Sequence, residues 1–488
     1  MIPALYESAT VTLYRGDCVE VMRELPEASV DAVVTDPPYG LEFMGKEWDK
    51  PWSRAAGAGG TSDGFSAVVM RDGHARQPLP SFTSSTNPTC RQCGGSRRGS
   101  DERERKGKKR CRCESPEFPN VAAIRGRGFQ TWCEEWGREA LRVLKPGAHL
   151  VAFGGTRTYH RLTCALEDAG FEIRDGLMWM YGSGFPKSLD VAKAIDKATG
   201  TRGTWRREDH PGRPGERHRD STPIIGQVAH SEAVSGGLRH VYEPGSVAAL
   251  QWQGWGTALK PAWEPIVLAR KPLSASNVAA NVLMHGTGAI NVDACRIPAA
   301  GRPDVRGLPG ENTPGTNTYG AGASAGSRAV GVTDLGRWPA NVMLDEDAAA
   351  LLDAQSGVLK SGFMAAGTIR TQHESVAMGR MTDNACSRDT FADAGGASRF
   401  FYTSKADRED RDGSKHPTVK PIDLMKWLVR LVTPAGGLVL DPFAGSGTTL
   451  YAARESGYRA IGIEREAEYC ADVARRLRQD ALPLTVEP

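Results

Sequence analysis

The sequence predicts an α/β protein built on a doubly wound, mostly parallel sheet, and three observations carry that prediction. Short β-branched apolar runs such as Val30-Asp31-Ala32-Val33-Val34 have the length of buried strands, and they alternate with segments whose apolar residues recur at helical spacing. Two such runs end in turns that display polar groups, Thr35-Asp36-Pro37-Pro38-Tyr39-Gly40 and Asp441-Pro442-Phe443-Ala444-Gly445-Ser446-Gly447-Thr448-Thr449. The carboxyl ends of strands are where open α/β sheets bind ligands. With 488 residues the chain exceeds one ordinary core, so two or three domains are expected.

Taken in order, Val11 to Tyr14 reads as a strand ending at Gly16-Asp17, and Cys18 to Leu25 as a helix. Asp17 stands where a helix cap stands. The strand that follows is stopped by Pro37 and Pro38, because proline fixes φ and donates no hydrogen bond. Leu41 to Pro88 is rich in glycine and serine and reads as loop. Within it, Phe43 or Trp48 serves either as a wedge beside the proline turn or as cover for the core. Cys90 and Cys93, then seventeen residues, then Cys111 and Cys113 form two close pairs that suit tetrahedral zinc through four thiolates, with a disulfide or free thiols as the alternatives. The basic loop between the pairs lacks an apolar pattern and would not fold on burial alone, which a metal clip accounts for. Phe129, Trp132, Trp136, Ala140 and Leu144 form a helical core stripe closed by Lys145-Pro146-Gly147. Ala148 to Phe153 reads as a strand, Tyr159 to Ala169 as a helix and Phe171 to Tyr181 as a strand.

From Ser188 to about Phe400 the alternation fades, although Trp263 to Ala269 has the character of one more core strand. Gly301 to Gly331 holds eight glycines and is expected to be mobile loop. Regular signal returns with a helix over Leu424 to Leu431, strands over Gly437 to Leu440 and Tyr458 to Ile463, and a final helix over Ala467 to Gln479.

Net charge is only +3, so no global basic field announces nucleic acid. The distribution is uneven: Arg97 to Arg112 holds nine Lys or Arg against three acids, and Arg202 to Arg219 six against three. Such patches suit a phosphate backbone, and equally a solvated loop. No apolar run reaches the roughly 18 residues of a membrane span, and the amino terminus lacks a signal peptide's regions, so a soluble cytoplasmic protein is expected.

The second turn has a specific context. A strand precedes it, a helix follows, and Glu464 closes the next strand twenty-three residues beyond Asp441, a position from which an acid accepts ribose hydroxyls. Together with Asp36-Pro37-Pro38-Tyr39 and His416-Pro417-Thr418-Val419-Lys420-Pro421, this turn resembles the motifs of S-adenosylmethionine-dependent amino-methyltransferases acting on DNA bases. The order of motifs, catalytic turn first and cofactor loop last, resembles the permuted beta group. Stretches such as Gly336 to Asn341 and Arg399 to Ala406 look like phage and prophage members. The likeness covers about Leu13 to Lys187 and Trp263 to Leu477.

It implies a Rossmann-like methyltransferase fold in which Asp36 and the Pro37 carbonyl accept from the target amine, in the turn that Pro38 completes, and Tyr39 stacks on the flipped base. For the cofactor it implies Asp17 at the adenine, Glu464 at the ribose, Thr418 and Lys420 by the methionine part, and Asp36, Asp441, Pro442, Phe443, Gly445, Gly447 and Thr448 around the rest. The expected organisation is a catalytic half over 1–187 with a zinc-binding insertion at 88–116, a target-recognition region with some core strands over 188–400, and a cofactor half over 401–488. The expected partner is double-stranded DNA and not a membrane; a homodimer is left open, and nothing reveals a partner endonuclease. Adenine N6 leads because the family's cytosine-N4 members more often carry serine where Asp36 stands. A non-catalytic DNA-binding protein on the same fold is the alternative from another class.

Overall fold

The computed structural model describes residues 2–40, 121–182, 188–209, 238–299, 302–307, 327–333, 335–361, 393–404 and 419–479, with residues 92, 112–115, 184 and 410 as isolated positions. Phe43, Trp48, Cys90, Cys93, Cys111 and Thr418 lie outside the described residues. The chain divides into two compact units, Met1–Gly182 with Trp263–Pro488, and Ser183–Ala262.

The first unit opens with β1 (Ala4–Glu7), β2 (Val11–Arg15), α1 (Cys18–Glu24) and β3 (Val30–Thr35), and continues with α2 (Val121–Val143), β4 (Leu144–Phe153), α3 (Tyr159–Ala169) and β5 (Glu172–Met180). The second unit holds α4 (Val191–Thr199), β6 (Thr204–Asp209), β7 (Leu238–Glu243) and α5 (Val247–Leu250). The first then resumes with β8 (Trp263–Arg270), α6 (Val278–His285), β9 (Arg302–Gly307), β10 (Ser327–Thr333), β11 (Val342–Asp345), α7 (Glu346–Ser356), β12 (Leu359–Ser361), β13 (Asp393–Gly395) and β14 (Tyr402–Ser404). It ends with α8 (Ile422–Val432), β15 (Leu438–Asp441), α9 (Thr448–Glu455), β16 (Arg459–Glu464) and α10 (Ala467–Gln479).

Among the described residues ten strands form one sheet in the order β1-β2-β16-β15-β3-β4-β8-β5-β11-β14. Only β1, antiparallel to β2, and β8, antiparallel to both β4 and β5, run against the other eight. The expected mostly parallel sheet is therefore present. All six positions of β3 are buried, as a central parallel strand requires. Its side chains alternate between two cores. Val34 packs with Phe153, Leu428, Val439 and Val473 on the face covered by α8, α9 and α10, while Val33 packs with Trp136, Leu150, Leu166 and Ile463 on the face covered by α1, α2 and α3. The one acid inside this strand, Asp31, is satisfied by Lys145 Nζ at 2.6 Å and the Leu438 amide at 2.8 Å, so it ties the starts of β4 and β15 to β3.

The middle of the chain is more regular than its composition suggests. β11 and β14 extend the parallel sheet beyond β5, and β9 pairs with β10 where Gly301 to Gly331 reads as mobile loop. Short strands edged by glycine carry too little periodicity to stand out; tertiary pairing defines them. In the second unit, buried Asp196 accepts from the Tyr242 hydroxyl at 2.9 Å, the Gly245 amide at 2.8 Å and the Ser246 hydroxyl at 2.6 Å, pinning α4 to the β6–β7 hairpin. Among the described residues no helix is long and apolar enough to cross a membrane, and no cluster of three potential metal ligands occurs.

Candidate active site

Parallel strands deliver their carboxyl ends to one edge of the sheet, and the polar residues singled out in the sequence collect there. β2 leads to Asp17, β3 to Asp36, β15 ends at Asp441 and β16 at Glu464. One cavity is lined by Asp17, Asp36, Pro37, Pro38, Tyr39 and Lys420 together with Asp441 to Ser446, Thr448 and Glu464. Gly447 is not among the lining residues.

The proline turn is held from outside. Thr158, at the start of α3, donates to the Tyr39 carbonyl at 2.6 Å. Gly40 takes φ +71° and would bring a Cβ to 2.8 Å from the Phe129 ring, so glycine alone lets the chain leave Tyr39 across α2. Asp36 is asymmetric. Its Oδ2 accepts from Lys420 Nζ at 2.5 Å, whereas Oδ1 is buried without a hydrogen-bond partner among the described residues. Lys420, buried above the Phe153 ring at 4.8 Å, also reaches the Tyr39 hydroxyl at 3.2 Å and Glu264 at 3.3 Å. Burial pulls its ammonium pKa down, but the charges of Asp36 and Glu264 outweigh burial and hold the group above the usual lysine value. Tyr39 donates to Glu264 at 2.9 Å; burial of the hydroxyl, then the neighbouring Asp36 and Glu264, push its pKa well above the usual phenol value.

Glu464 organises the glycine loop. Its Oε2 accepts from the Gly445 amide at 2.8 Å and its Oε1 from the Glu466 amide at 2.7 Å, with the Arg465 amide as a third donor to a carboxylate that has about four acceptor sites. Burial raises its pKa. Asp441 is buried and accepts from the Thr35 hydroxyl at 2.7 Å and the Phe443 amide at 3.1 Å, which joins the ends of β3 and β15; burial pushes its pKa up to about 6. The Phe443 ring is fixed by Trp132 and Trp136, each with its centroid 5.4 Å away. Asp17 caps α1 through Oδ1, which accepts from the Val19 amide at 2.9 Å, while among the described residues nothing donates to Oδ2. The cap and the cavity wall are thus the same residue. Gly447 takes φ +81° and a Cβ there would sit 2.8 Å from Val473 of α10, so its constraint is helix packing.

Residues 122–199 and 368–475 match the N6/N4 DNA methylase family. The chain is 24% identical over 456 residues to the type II methyltransferase M.HindIII of Haemophilus influenzae, covering 93% of this chain and 90% of that enzyme. It is 48% identical over 62 residues to the DNA adenine methyltransferase YhdJ of Escherichia coli K12, covering 13% of this chain and 21% of that one. Among solved structures, the cytosine-N4-specific PvuII DNA methyltransferase aligns over 99% of this chain and 90% of its own, at 12% identity and a TM-score of 0.39. The family match and the likeness to M.HindIII support DNA methyltransferase activity.

Within this site, sequence reasoning missed Glu264, Trp132 and Thr158. Glu264 stands in a run that reads as core strand, and its reach depends on the reversed direction of β8, which no local pattern encodes. Trp132 was legible only as part of a helical stripe, the ordinary mark of core. Lys420, which the resemblance puts by the methionine part of the cofactor, has its ammonium among Asp36, Tyr39 and Glu264.

Proposed function

We propose that this chain transfers a methyl group from S-adenosylmethionine to the N6 amine of an adenine extruded from double-stranded DNA. The asymmetry of Asp36 carries the reading: one oxygen is anchored by Lys420, and the other is a buried acceptor without a donor among the described residues. A buried acceptor left bare costs free energy unless a ligand supplies the donor. An aromatic amine is a poor nucleophile because its lone pair is delocalised into the ring. Acceptors at Asp36 Oδ1 and the Pro37 carbonyl would hold both N–H groups and favour a pyramidal nitrogen with a localised lone pair. Tyr39 would replace the stacking that the base loses on leaving the duplex.

Residues around the loop fit the cofactor. Asp17 Oδ2 is open to an amine donor, Glu464 keeps acceptor capacity for a ribose hydroxyl, and the fixed Phe443 ring offers a flat apolar wall. When bound, S-adenosylmethionine supplies a methyl group activated by its sulfonium. Adenine is favoured over cytosine by Asp36 itself, since cytosine-N4 relatives of the resembling family more often carry serine there.

The test is expression in a methylation-free host followed by genome-wide mapping of modified bases. N6-methyladenine at one sequence supports the reading. N4-methylcytosine would replace the base assignment, and an unmodified genome would favour a non-catalytic DNA-binding protein.

We further propose a structural zinc on Cys90, Cys93, Cys111 and Cys113, supported by their spacing. Metal analysis should find about one zinc per chain, lost on joint Cys90→Ser and Cys93→Ser replacement. A zinc-free unaltered protein would reject the clip.

A further inference from the structure

We propose that Glu264 is a positioning residue for methyl transfer: from the reversed strand β8 it locks Lys420 and Tyr39 together, fixing the acceptor and the stacking ring in one geometry. The inference rests on the function proposed above and adds a residue that no motif contains.

One oxygen, Glu264 Oε2, accepts from the Tyr39 hydroxyl at 2.9 Å and lies 3.3 Å from Lys420 Nζ. Lys420 in turn reaches the Tyr39 hydroxyl at 3.2 Å and Asp36 Oδ2 at 2.5 Å. Glu264, Tyr39 and Lys420 therefore close a ring of three side chains to which Lys420 ties Asp36, and the member that touches both the lysine and the tyrosine from outside the proline turn is Glu264. Its backbone is pinned on both sides. Glu264 pairs with Trp179 of β5, and the next residue, Pro265, accepts from the Gly154 amide at 2.9 Å. A carboxylate on so rigid a strand leaves its partners few alternatives. Because β8 runs against its neighbours, its beginning reaches the edge where the parallel strands end. Glu264 is not among the residues lining the cofactor cavity, so its effect on the reaction runs through Lys420 and Tyr39.

The charges agree with the geometry. Two carboxylates and one ammonium face each other here, with Tyr181 at the end of β5 and Asp441 beyond Asp36 as the other titratable groups nearby. The excess negative charge favours an amine that becomes cationic as it attacks. Glu264 also helps Lys420 keep its proton.

The experiment compares the unaltered protein with Glu264→Ala and Glu264→Gln in single-turnover methyl transfer on a duplex carrying the mapped site, across pH 7 to 11, with S-adenosylmethionine affinity measured by calorimetry. Affinity should be unchanged in both variants. Glu264→Ala should slow transfer on the order of a hundredfold, because its partners lose their shared anchor. Glu264→Gln should keep most of the rate at pH 7, since its amide oxygen still accepts from Tyr39, but its alkaline limb should move to lower pH as Lys420 loses one of two carboxylate partners. An unaltered rate in Glu264→Ala would overturn the proposal, as would equal slowing in both variants with an unmoved pH profile, the mark of a merely structural residue. If the alanine variant does not fold, the pH profile of Glu264→Gln decides alone. Transfer by the unaltered protein with indifferent variants rejects only the role of Glu264, whereas no transfer by the unaltered protein rejects the function itself.

Discussion

Two aspartates at adjacent strand ends have opposite tasks, and their surroundings say which is which. Among the described residues Asp36 presents an oxygen without a donor, while Asp441 Oδ1 accepts from both Thr35 and the Phe443 amide and Thr449 bonds the same carboxylate. Asp36→Ala should lower methyl transfer by on the order of 10²–10³ or more while leaving cofactor affinity largely intact, as the loss of a hydrogen bond to a reacting centre does. Single-turnover rates and calorimetry check this, and near-normal turnover would remove Asp36 from the reaction. Asp441 makes a prediction about stability. Its folded pKa of about 6 lies above the unfolded value of 3.8, so its charge destabilises the fold at neutral pH, and that cost fades as pH falls through 6 towards 4. The size is on the order of 3 kcal/mol. Asp441→Asn should therefore melt higher than the unaltered protein at pH 8 without cofactor, with the gap closing near pH 4. His149, buried and pushed down to about 4, works in the opposite direction over the same window, but equally in both proteins. A gap that widened towards acid would contradict this account.

At the level of elements, the glycine loop shows how far a motif can be read. Its strand, loop and helix were legible because periodicity and glycine placement mark them locally, and α3 and α10 appear over the residues their spacing predicts. What the two glycines are for was only half legible. Gly445 lines the cavity, but Gly447 is demanded by Val473 on a helix that follows another strand. Gly447→Ala should cost on the order of 2 kcal/mol, combining a left-handed backbone with a contact that must open. Urea denaturation measures it, and a variant as stable as the parent would show that α10 yields easily. The direction of β8 was not legible at all, since an isolated strand of apolar residues carries no arrow. With it went Glu264. β11 and α7 were lost for another reason: they lie in a glycine- and proline-rich stretch whose short runs look alike whether paired or not.

For the molecule as a whole, the sheet and its two hydrophobic cores belong to the first unit, and we propose that the middle of the chain reads the neighbouring bases. Exchanging 188–400 for the same part of a relative should transfer that relative's target sequence, read by modified-base mapping. An active chimera with the original target would refute the assignment. That exchange must respect β8 and β11, which belong to the central sheet. The pairing of β3 with β15 has its own consequence, because it joins Val33 to Leu440 and the earliest part of the chain to nearly the last. On the ribosome, β3 emerges about 400 residues before its partner, a wait of roughly 20–80 s at ordinary synthesis rates. Throughout that interval the innermost strand of the finished sheet is an unpaired edge. Newborn chains of this protein therefore have reason to depend on a chaperone, and fragments that stop short of Leu438 should collect in inclusion bodies.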